Sequence, residues 1–184
     1  MRIFTTAMLF GACASFAAAA EPYRCPSGVT VTRVVSVFSY DGADPSDAVL
    51  CRVSSNGQTN LSYFAIWNNN KFGKSTALAA IKVLADGVGA SAEAFTYQVA
   101  GDSYDSRVIV RFEALEPLKI GQETRKVRRL SYTSRSDSGR FEMLEQYSLD
   151  QASGTFVAYS CEVIRGQAQC KFPNWVATRL VIAP

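Results

Sequence analysis

Short β-branched and aromatic runs, cut at regular intervals by Gly, Asp, Asn, Ser and Pro, recur over most of this chain, and nothing else in it limits the fold as strongly. Such side chains pack well on a pleated surface, so each run favours extended backbone. The runs fall at residues 29–40, 49–54, 61–67, 95–100, 107–115, 124–134, 141–149, 155–164 and 176–182. Turn-rich segments join them, at 41–47 (DGADPSD), 55–57 (SNG), 136–139 (SDSG) and 150–154. Strands joined so briefly are expected to pair antiparallel. Gly101-Asp102 is read as a hairpin turn, and Pro117 as a break after 107–115. In the first run the alternation slips near Arg33-Val34, as a bulge would make it do. One helix interrupts the series over 75–86. Ser75 serves as its N-cap, Ala77, Leu78, Ile81, Leu84 and Ala85 share a face, and Gly87 follows as the C′ residue. The expected fold is mainly β, an antiparallel barrel or sandwich of about nine strands with one short helix.

The N-terminus reads as an export signal. Arg2 supplies a positive charge, residues 3–20 are almost wholly apolar or small, and the run ends in four alanines before Glu21. Ala18 and Ala20 fill the small-residue positions before a cleavage site at Glu21. The expected organisation is a signal peptide over 1–20 and a single β-rich domain over 21–184, in a periplasmic or extracellular setting. Cys13 is not a fit for lipidation, because Leu9 stands one place too early for a lipoprotein signal. With the signal removed, no transmembrane segment is expected.

Four cysteines follow the signal: Cys25, Cys51, Cys161 and Cys170. An even number in an exported chain points to two disulfides. A two-residue turn at Arg165-Gly166 would fold 161–170 into a hairpin with Cys161 opposite Cys170, at a non-hydrogen-bonded position with Cα atoms roughly 4.5 Å apart. That pairing leaves Cys25 with Cys51. The alternative is a crossed pair tying both ends of the chain to the core.

The chain contains no histidine. That excludes Ser-His-Asp and Cys-His catalysis and ordinary zinc sites. No metal or cofactor site is expected. Gly73-Lys74-Ser75-Thr76 resembles the end of a phosphate-binding loop, but Asn68 stands where the motif needs glycine. Asp41, Asp44 and Asp47 share one turn without the spacing of a calcium loop. Two acids, Glu145 on an otherwise apolar strand face and Glu162, are the ones a histidine-free hydrolase would use.

The most unusual segment is Arg125-Lys126-Val127-Arg128-Arg129, inside a window (107–140) with nine basic and four acidic residues. On a strand its cations point to both faces, as on an edge strand or a projecting arm. The leading functional expectation is a non-enzymatic envelope protein in which Arg125, Lys126, Arg128 and Arg129 meet an anionic envelope surface or a protein partner, not nucleic acid. A second expectation rests on the many strand aromatics, which could line a barrel that carries an apolar or lipid ligand.

Overall fold

The computed structural model describes residues 23–68, 71–94, 97–99, 102–136, 138–167, 169–170 and 172–184. The signal sequence, Cys13 and the turn at Gly101 lie outside these residues. In chain order the elements begin with β1 (Ser27–Thr32), β2 (Val37–Asp44), β3 (Asp47–Ser55), β4 (Gln58–Tyr63), β5 (Trp67–Asn68) and helix α1 (Lys71–Asp86). There follow β6 (Ser91–Glu93), β7 (Tyr97–Val99), β8 (Asp102–Ile120), β9 (Glu123–Ser136), β10 (Glu142–Asp150), β11 (Phe156–Arg165), β12 (Trp175–Val176) and β13 (Arg179–Ile182). One antiparallel sheet has the order β13-β1-β2-β3-β4-β5, and the other β12-β11-β10-β9-β8-β6 with β7 pairing on β8. The end strands of neither sheet meet, so the mainly β fold takes the form of a sandwich and not of a closed barrel. Among the described residues no helix is long and apolar enough to cross a membrane.

The structure corrects several expected boundaries. The run 29–40 is two strands and not one bulged strand. The inward residues, Val29 and Val31 before the slip and Phe38 and Tyr40 after it, differ in parity because the chain reverses between them. A reversal at 33–36, where the Arg33 N–H donates to the Ser36 carbonyl at 2.8 Å, sets Val29 opposite Tyr40 and Val31 opposite Phe38. The run 61–67 likewise breaks at Phe64 and Ala65, both at positive φ. Helix α1 begins at Lys71, four residues before the expected cap, because its buried stripe of Gly73, Thr76, Ala77, Ala80, Val83 and Leu84 reaches back past Ser75. Gly87 does close it: at φ 96° its N–H donates to the Val83 carbonyl at 3.0 Å.

Pro117 does not stop β8, where it sits opposite Lys126. Beyond Phe112 that side of β8 has no strand beside it among the described residues, and a residue without an N–H is tolerated at such an edge. The run 176–182 is divided between the sheets. Ala177 N–H donates to the Val157 carbonyl at 2.7 Å and Thr178 N–H to the Thr32 carbonyl at 2.8 Å, which carries the chain from one sheet to the other. Both expected disulfides are present, Cys25–Cys51 and Cys161–Cys170. The hairpin reasoning behind the second does not hold. Cys161 lies in β11 opposite Glu145, residues 169–170 form no strand, and the Cα atoms are 5.8 Å apart. Arginine is a poor fit to a tight turn of that kind, and the chain takes a wider loop.

Two apolar clusters hold the sheets together. One joins α1, Leu50, Tyr63 and Phe64 to Val108, Val110, Phe112, Leu130, Tyr132, Tyr147, Phe156 and Tyr159. The other joins Val29, Val31, Tyr40, Val53 and the Cys25–Cys51 disulfide to Ile120, Val127, Val157 and Ala177. Beside the second cluster lies an ion pair between a buried carboxylate and a partly exposed arginine. Arg125 donates through Nε and Nη2 to the two Asp150 carboxylate oxygens at 3.1 and 3.0 Å, and the Ser153 N–H adds a third bond at 2.9 Å. Burial alone would push the Asp150 carboxyl up, but Arg125 and Ser153 outweigh it and hold the group below the usual carboxylate range. Its contribution to stability is then complete above the unfolded value of about 4 and is lost as pH falls through the lower folded value. Asp150→Asn should cost about 2 kcal/mol in urea unfolding at neutral pH, and the gap from wild type should narrow as pH falls below the unfolded value of about 4. A gap that stays constant in acid would show that the carboxylate charge is not its source.

Candidate functional site

Between the two sheets, where β2–β4 face β10–β12, a cleft of about 390 Å³ opens to solvent. Tyr147, Phe156, Tyr159, Phe172 and Trp175 form its aromatic wall, Phe38, Tyr40 and Val53 face them, and Ser55, Asn60 and Ser62 add a polar row. Among the described residues that line it, Arg33 is the one that carries a charge. Its guanidinium carbon lies 3.6 Å from the Trp175 ring centroid and 4.1 Å from that of Phe38, so the cation is stacked between a ring from each sheet. Each such contact is worth on the order of 1 kcal/mol, more where water is excluded.

The position is costly to maintain. Burial pulls the Arg33 guanidinium down from its ordinary range, and the neighbouring Tyr40 hydroxyl works in the opposite direction. The group remains cationic at neutral pH, as arginine does in proteins. Its Nε is buried with no hydrogen-bond partner. A cation held in an aromatic cleft against a desolvation cost is a mark of a binding site more than of a stability device.

The far wall is fastened by the second disulfide. The loop closed by Cys161–Cys170 leads directly into Phe172 and Trp175, and Asn174 Oδ1 accepts the Cys161 N–H at 2.9 Å. Phe172 stands edge-on to Tyr159 with ring centroids 5.9 Å apart, and Tyr159 packs on Tyr147 at 4.9 Å. Behind this wall Glu145 accepts the Tyr159 hydroxyl at 2.8 Å and the Tyr147 hydroxyl at 3.3 Å. Burial first, and Glu145 second, push both phenols above their ordinary value, so they remain neutral donors. Glu145 thus orients the wall. It does not meet Glu162: the two are opposite Cys161 and Leu144 respectively, adjacent positions that project from opposite faces of the sheet.

The basic segment is not one surface. Residues 123–126 extend on a two-stranded arm with β8, whereas Val127 onward is flanked by β8 and β10, so β9 is an arm at its start and an interior strand after it. Arg125 binds Asp150 and lies 3.5 Å from Glu123, and Arg129 lies 3.1 Å from Glu116. Lys126 is exposed and Arg128 half-buried. The turn acids are also engaged: Asp41 accepts the Ser54 hydroxyl, Asp44 the Ser46 N–H, and Asp47 the Lys74 ammonium. That last pair employs the lysine of the loop-like Gly73-Lys74 sequence.

Sequence reasoning singled out the slip at Arg33 but not its role. Arg33, Phe38 and Trp175 are brought together by the turn at 33–36 and by the crossing at 177–178, neither of which has a local signature. Comparison of the chain with family models, curated proteins and solved structures finds no match. Replacing Cys161 and Cys170 by serine should lower stability by about 2–3 kcal/mol, as opening a loop of that length does. In a Trp67→Phe background it should also shift Trp175 emission towards that of a solvated indole. Unchanged emission would contradict the role given to the disulfide in fastening the wall.

Proposed function

We propose that the protein is an exported, non-enzymatic binding protein that holds a small amphipathic anion in the cleft between its sheets. The observation that carries this reading is the Arg33 guanidinium, stacked between Phe38 and Trp175 and the one charge among the described residues that line the site. Aromatic walls suit the apolar body of such a ligand, Ser55, Asn60 and Ser62 offer hydrogen bonds to it, and the volume is in the range of small-molecule sites. Two disulfides and the apolar N-terminal run support an oxidising compartment. The basic segment supports contact with an anionic surface less well, because Arg125 and Arg129 are matched by carboxylates.

Anilinonaphthalene sulfonate and its uncharged parent, phenylnaphthylamine, separate the two parts of the site. The wild type should bind the sulfonate saturably and with a single stoichiometric site. Arg33→Ala should weaken it at least about tenfold while leaving the neutral probe nearly unchanged, since a charge-assisted hydrogen bond contributes on the order of 1.5–3 kcal/mol. Arg33→Lys should fall between, because lysine keeps the charge but not the planar stack. Equal loss of both probes in Arg33→Ala, with the fold intact, would refute charge recognition at this cleft.

A further inference from the structure

The turn that delivers Arg33 to the cleft carries a second feature that the cleft does not use. Val34 and Val35, at the tip of the β1–β2 hairpin, are 83% and 92% exposed, and Val37 beside them is 47% exposed. No packing among the described residues accounts for two branched aliphatic side chains held out at a loop tip, where Gly, Asn or Ser is the usual choice. The β3–β4 tip at Asn56-Gly57 lies alongside, and the two tips share a shallow hollow lined by Ser36, Ser39, Ser54 and Ser55.

We propose that these paired tips dock on the surface of a phospholipid bilayer, with Val34 and Val35 inserted at the level of the headgroups. The charge around them is suited to that occupant. Neither 32–40 nor 54–60 contains an acidic residue, the Asp41 carboxylate beside them is bonded to the Ser54 hydroxyl, and the exposed Arg179 of β13 lies opposite Thr32 in the register. Anionic headgroups therefore meet hydroxyls, amides and the Arg179 cation. The size of the patch also decides against a protein. A stable protein interface covers about 800 Å² on each partner, far more than two or three valines present, whereas shallow insertion needs only a few apolar side chains framed by polar ones. Because Arg33 follows Thr32 directly into the turn, docking sets one rim of the cleft against the lipid. An amphipathic anion could then pass between bilayer and cleft. This exchange rests on the reading of the cleft given above; docking itself does not.

Cosedimentation with vesicles of equimolar phosphatidylethanolamine and phosphatidylglycerol tests it. The wild type should pellet with the vesicles, and V34S/V35S should partition at least about tenfold less. Both residues project into water, so the double variant should keep the melting temperature of the wild type and its affinity for anilinonaphthalene sulfonate. Binding should fall only in part at high salt, since headgroup attraction is screened and apolar insertion is not. A wild type that stays in the supernatant would overturn the proposal. So would a loss of binding in K126S/R128S with V34S/V35S unaffected, which would move the contact to the basic arm. A lipid-free dimer that V34S/V35S abolishes would assign the tip to a second copy of the chain and overturn it equally. Should vesicle binding hold while the sulfonate fails to bind the wild type, docking stands and the cleft reading falls.

Discussion

The long β8–β9 hairpin changes its buried face part-way along, and the rest of the sandwich depends on that change. In β9, Leu130 and Tyr132 pack into the cluster under the helix, while Val127, on the opposite face of the strand, packs into the other cluster. β8 makes the same exchange with a register shift between Phe112 and Ala114, so that Phe112 serves the first cluster and Ile120 the second. A regular hairpin would bury one face only and hold the sheets in contact along a single line. This one grips the opposite sheet at two places. The tip is held closely: a side chain at Gly121 would meet the Thr178 carbonyl at 2.7 Å, so only glycine fits there.

Between those two grips the sheets stand apart, and the cleft borders both clusters, with Tyr40 and Val53 from one and Tyr147, Phe156 and Tyr159 from the other. The Arg33 stack crosses this gap, with Phe38 from one sheet and Trp175 from the other. A pair of aliphatic residues could close the same space at lower desolvation cost, which is why the cation points to recognition. The two disulfides divide the work in a similar way. Cys25–Cys51 is buried in the second cluster and ties the start of the domain to β3, whereas Cys161–Cys170 is set at the margin and fixes the segment that bears Phe172 and Trp175.

Much of the fold was legible in the chain because strand propensity and turn residues are local signals. The Asn56-Gly57 turn, at φ of 51° and 75°, and the Gly87 helix stop occur where their residue types put them. What was not legible depended on partners remote in sequence. Runs 29–40 and 176–182 read as continuous because most residues in them favour extended backbone, and only the pairing of Val29 with Tyr40 and of Thr178 with Thr32 shows that the chain turns or changes sheet. Pro117 reads as a break, yet its missing N–H matters only where a neighbour strand lies on that side, and among the described residues none does. The four-cation segment was conspicuous as sequence, yet Asp150 and Glu116 answer two of its charges from the neighbouring strands, through a register that no local rule sets. Arg33, a single arginine in an apolar run, gave no sign beyond the slip in alternation.

The central claim is that the cleft is occupied in the cell by an amphipathic anion. Native mass spectrometry of the protein recovered from its own compartment, beside a denatured control, tests this most directly. The account predicts added mass on the folded protein that is released on denaturation and is absent from an Arg33→Ala variant prepared in the same way. Equal native masses for the two proteins, both matching the bare chain with two disulfides, would contradict it.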